Sequence, residues 1–126
     1  QGLPRALQNA LFIFHKNVGV VILLLVVARL AYRAANPPPP LPAHVPGWQA
    51  GVAGLVHVLL YVFLVVMAVS GYIRVVAGGF PLELWDAIGV PRLAPRSDVL
   101  AGQAKQVHWL GRTALLAVIL LHLGGA

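Results

Sequence analysis

Between Gly51 and Ile73 the chain runs 23 residues without a formal charge, more than the roughly 20 that an α-helix needs to cross a bilayer core. In hydrocarbon every backbone N–H and C=O must be satisfied internally, and a helix does this within one segment. Two further apolar runs follow the same logic. Leu11 to Ala28 is broken only by His15, Lys16 and Asn17, and Val107 to Leu123 by His108, Arg112 and His122. The runs are too long for the core of a signal peptide and lack the period-two alternation of barrel strands. The expected fold class is all-α, an integral membrane helical bundle with three transmembrane helices in this chain.

Composition narrows the chemistry. Hydrophobic residues make up 60% and charged residues 10%, against about a quarter charged in a soluble domain, so the first partner is the lipid bilayer. The net charge is +6, yet the basic residues are not gathered in a soluble module, which argues against nucleic acid. Cysteine is absent, which excludes disulfides, iron–sulfur ligation and thiol catalysis. Histidine is then the main soft ligand, with Met67 a distant second. The three acids, Glu83, Asp86 and Asp98, all lie between the second and third spans or at the start of the third, and no glycine-rich phosphate loop follows a strand. No hydrolytic constellation can be assembled.

The helices are expected at about 4–35, 47–76 and 98–125, in one domain covering 1–126. Pro4 suits a first helical turn. Asn36 and Pro37 to Pro40 end that helix and open a semi-rigid polyproline strap over 36–46, which carries His44 as a solvated loop residue. Trp48 is a plausible interfacial anchor. Gly78 and Gly79 end the second span and begin an ordered loop over 77–97, with a short amphipathic helix at Leu82 to Ile88 lying in the interface. Ser97 or Asp98 caps the last helix. The chain starts at Gln1 rather than Met, so a preceding segment is expected.

His108 and His122 are fourteen residues apart, close to four helical turns and about 21 Å along the axis. The same step separates His15 from Arg29. Buried imidazole is costly in a bilayer, and intramembrane ionisable residues are functional candidates by default. Taking the face where the first helix begins as side one, His15 and His108 share a side-one layer and are candidate axial ligands of one haem iron, bound from opposite faces. Gly19 and Gly111 would let a porphyrin approach. Lys16, Lys105 and Arg112 are candidate propionate partners, and Arg74 either joins them or reaches lipid phosphate. In the side-two layer His122 is a candidate ligand. His57 either completes that pair or bonds a propionate or quinone carbonyl while the ligand comes from a missing helix. Arg29 and Arg33 lie at that depth, for propionates or for lipid phosphates. The alternative for every histidine is a hydrogen-bonding residue near a helix end.

The order H-K-N-V-G at His15 to Gly19, A-R-L-A-Y-R-A-A-N-P-P-P-P at Ala28 to Pro40, H-V-L-L-Y at His57 to Tyr61, S-G-Y at Ser70 to Tyr72, G-G-F-P at Gly78 to Pro81, and K-Q-V-H followed fourteen residues later by another histidine resembles the bacterial cytochrome b561 family over nearly the whole chain. The resemblance implies a four-helix protein with two haems b, of which this chain supplies helices two to four. It implies that His15 and His108 ligate one haem, and that His122 shares the other with a histidine on the absent first helix. Trp109 stands where the family commonly has glutamate, so any proton-handling role there is not expected. Implied activities are electron exchange with the quinone pool and, in one branch, oxidation of superoxide. A haem-bearing anchor subunit of a larger dehydrogenase, hydrogenase or respiratory complex, served by a redox partner protein, is the competing function. A small structural membrane subunit without a cofactor is the third. The implied location is the bacterial inner membrane. The Lys and Arg count would put side one in the cytoplasm, whereas the resemblance implies the reverse and is preferred.

Overall fold

The computed structural model describes residues 2–125. It contains α1 (Arg5–Ala35), α2 (Gly47–Ala77), the short α3 (Glu83–Ala87) and α4 (Asp98–Gly124). The helices α1, α2 and α4 are each long and apolar enough to cross a membrane; at 31 residues, α1 extends about 46 Å.

The ends follow from local chemistry. Pro37 to Pro40 cannot continue α1, whose last turn closes through Asn36 N donating to the Tyr32 carbonyl at 2.8 Å. At the end of α2, Phe80 N donates to the Val75 carbonyl and Gly79 N to that of Val76. This Schellman pairing requires a left-handed residue, and Gly79 supplies it with φ of 75°. The Ser97 hydroxyl accepts from Leu100 N and caps α4.

The central element is α2. It packs against both α1 and α4, while no Cα of α1 comes within 8 Å of one in α4. Large apolar side chains such as Phe14, Leu25, Leu55 and Leu120 face outward, as lipid-facing surfaces must. The best-buried apolar cluster is Val75, Val76 and Leu82, with Val20, Tyr72, Trp85 and Ala94 against it. It sits at the side-one end and joins α1, α2 and the loop. Sequence patterning places the loop helix in the interface; the observed α3 is bonded to α1. Leu84 N donates to Asn17 Oδ1 at 3.0 Å, and Trp85 Nε1 donates to the Asn17 carbonyl at 3.2 Å.

Candidate functional site

The side-one histidines come together. His15 on α1 and His108 on α4 have ring centres 6.1 Å apart and planes at 80°. His108 Nδ1 lies 2.9 Å from the Met67 carbonyl oxygen, which can only accept, so Nδ1 carries the proton and Nε2 keeps its lone pair. The Ser70 hydroxyl, 3.3 Å from Nδ1, adds a second polar neighbour. The cavity beside the two rings is lined by Gly19, Met67, Gly71 and Arg74 among others.

Gly71 makes room for the His108 ring. A Cβ there would stand 3.0 Å from Cε1 and 3.2 Å from Nδ1, and the ring cannot retreat without losing its bond to Met67. Gly71→Ala is therefore expected to destabilise the protein by about 1–3 kcal/mol through overpacking. A Cβ on Gly111 would meet Met67 Sδ at 2.8 Å, but a flexible thioether can swing aside, so Gly111→Ala costs less. Unfolding of both variants in the same detergent measures the difference; equal costs would contradict it.

The side-two histidines also meet. His57 on α2 and His122 on α4 have ring centres 5.4 Å apart and planes at 63°. They line one cavity with Arg29, Arg33 and Tyr61, and a larger one with Leu41, Val45 and Trp48 at the strap. The Arg33 guanidinium lies over the Tyr61 ring at 5.8 Å. Tyr61 thus belongs to this layer.

The remaining basic residues divide. Arg74 lines the side-one cavity. Lys105 and Arg112 are exposed and do not line it; the Arg112 guanidinium stacks over Trp109 one turn back, 5.3 Å from the ring centre. Lys16, expected at a propionate, is instead buried against Glu83, with Nζ 2.6 Å from Oε1. His44 is exposed in the strap.

Glu83 belongs to the loop, and its charge responds to this pairing. Partial burial works to raise its carboxyl. Hydrogen bonds from Lys16, from its own backbone and from Asn17, together with the Lys16 charge, outweigh that and hold it below the ordinary 4.5. A folded value below the unfolded one means that the ionised pair contributes stability above about pH 4.5, and that this contribution disappears as the pH falls through the folded value. Limited proteolysis of the loop should therefore quicken on acidification in the native protein. In Glu83→Gln it should be fast at every pH in that window.

Three membrane-length helices with two histidine pairs stacked along them have the architecture of a membrane-embedded cytochrome b. The chain belongs to the prokaryotic cytochrome b561 family, whose model matches residues 2–126. It is 30% identical over 109 residues to cytochrome b561 homolog 2 of Escherichia coli (strain K12), covering 84% of this chain and 57% of that protein. It is 25% identical over 115 residues to cytochrome b561 homolog 1 of the same organism, covering 89% of this chain and 63% of that protein. The chain thus spans about three-fifths of the length of these relatives. No solved structure matches it. Family membership implies haem b binding in a prokaryotic membrane protein.

Proposed function

We propose that this chain is the larger part of a transmembrane electron carrier of the bacterial inner membrane, in which His15 and His108 hold one haem b. His122 holds a second haem with a histidine from outside these 126 residues. When bound, a haem iron with two imidazole ligands supplies a one-electron couple with no open coordination position.

The observation that carries this reading is the side-one pair. With metal–imidazole bonds of about 2 Å, two rings on opposite sides of one metal have centres about 6 Å apart, and His15 and His108 stand at 6.1 Å. They come from the two helices whose Cα atoms come no closer than 8 Å, and a Cβ added to Gly19 would meet nothing within 4 Å. The protonated Nδ1 of His108, held by Met67, directs Nε2 outward as a ligand. Among the described residues no site gathers three or more His, Cys, Asp or Glu, so a pair of imidazoles suits a cofactor that brings its own equatorial nitrogens.

The side-two pair differs. His57 and His122 stand on α2 and α4, which pack directly, and their 5.4 Å spacing is short for two rings across one iron. Family membership favours His122 as the ligand, with His57 a polar neighbour to a propionate or a quinone carbonyl. Arg29 and Arg33 supply fixed positive charge to propionates in that layer and Arg74 does so at side one, while Lys105 and Arg112 act at the rim. Arg29→Leu should lower the midpoint potential of the side-two haem, because removing a nearby cation favours the more positive ferric state. A redox titration checks this, and an unchanged curve would assign Arg29 to lipid phosphate.

The two layers carry electrons between a donor at one face, superoxide in one branch of the family, and the quinone pool. The test is a full-length protein in membranes, expected to show two low-spin b haems reduced by the donor and reoxidised by added quinone. A protein isolated without haem, or one reoxidised only through a large soluble partner, would overturn the proposal.

A further inference from the structure

Lys16, Asn17 and Glu83 form a polar clasp immediately beside His15, and nothing in the haem reading uses them. Lys16 Nζ donates to Glu83 Oε1 and to the Pro81 carbonyl, each at 2.6 Å, with 3% of its side chain exposed. Asn17 Nδ2 donates to Glu83 Oε2 and to the Ile13 carbonyl, each at 2.8 Å. Asn17 also takes Leu84 N and Trp85 Nε1 on its two oxygens.

The loop that carries Glu83 is fixed at its other end. Tyr72 Oη accepts from Leu93 N at 2.9 Å, and the Ala77 carbonyl accepts from Ser97 N at 3.0 Å. Ser97 in turn caps α4, the helix of His108. The clasp therefore joins α1 to α4 through the loop, where the two backbones come no closer than 8 Å between Cα atoms.

This matters because apolar packing against α2 is poor at fixing rotation. Turning α1 by one residue swings His15 through about 100° while leaving one lipid-facing side chain in place of another. Directional hydrogen bonds define a single setting. Any other register strips Lys16 of its acceptors at bilayer depth, where an unpaired charge is costly.

We infer that Asn17 and Glu83 are positioning residues for His15: through the clasp they set its depth and its facing toward His108. The inference rests on the reading of His15 and His108 as an axial pair. Neither residue lines the cavity beside His15 and His108, and neither is offered as a ligand.

Carbon monoxide on the reduced, full-length, haem-loaded protein tests it. The native protein should bind none at this haem, since both axial positions are filled. Glu83→Gln and Asn17→Ala should insert at native levels, keep the other haem unchanged, and gain a carbon monoxide difference band. His15→Ala, run alongside, should lose this haem altogether, so the closed, open and missing states are told apart. If His15→Ala loses its haem while both clasp variants stay closed, the clasp has no positioning role and the ligand assignment stands. If His15→Ala keeps two closed haems, the ligand assignment falls and the inference with it. Equal loss of both haems in the clasp variants would show general destabilisation and also overturn it. Should Glu83→Gln fail to insert, Asn17→Ala and the double variant Lys16→Met with Glu83→Gln, neither of which leaves Lys16 unpaired in the bilayer, decide by the same band.

Discussion

Alanine at His15 or at His108 is expected to halve the haem-to-protein ratio of the full-length protein without reducing its insertion. Insertion depends on the apolar length of the spans, and exchanging a membrane-buried imidazole for a methyl group favours it. Ligation depends on the imidazole itself. Met67 lines the same cavity, but it stands on α2 and not at the place of either imidazole. Pyridine haemochrome quantitation of membranes at equal protein level measures the ratio. Full haem content with an unchanged low-spin spectrum in both variants would remove the side-one assignment.

The second large effect separates two histidines that are close neighbours. His122→Ala should remove the other haem, whereas His57→Gln should keep both haems low-spin and alter quinone kinetics or one midpoint potential. Glutamine preserves hydrogen-bonding capacity and loses the iron ligand. The two rings are 5.4 Å apart on helices that pack directly, so the geometry does not separate their roles and the two variants do. Loss of the side-two haem in His57→Gln, with the outside histidine present, would make His57 and His122 the axial pair.

What the sequence disclosed was whatever depends on counting along one helix. The uncharged run from Gly51 to Ile73, the proline stop and the paired glycines determine where helices exist and end, because each acts locally. Depth is also countable, and this is why His57 could be placed level with His122 before any coordinates. Partnership across elements is a different quantity. Lys16 and Glu83 are 67 positions apart, and among nine basic residues and three acids nothing local tells which cation faces an acid and which is left for a propionate. Lys16 was therefore read as a propionate partner. The stacking of Arg112 on Trp109 was legible at its three-residue spacing and points that cation away from the layer. That α1 and α4 stand apart is likewise a property of the assembled bundle, since the order of helices permits either arrangement.

The two mouths of the bundle differ in a way that bears on its kinetics. Around His15 and His108 the cavity is about 70 Å³ and is hemmed in by Phe12, Lys16, Tyr72 and Leu82. Around His57 and His122, beneath the proline strap, it is about 630 Å³. If the chain carries electrons as proposed, the tighter surround lets fewer dipoles rearrange and the reorganisation energy there is expected to be the smaller. The slow, partner-sensitive step is then expected at the roomy mouth, and substitutions that reshape the strap should change the overall rate more than equally drastic ones near the clasp that leave His15 in place.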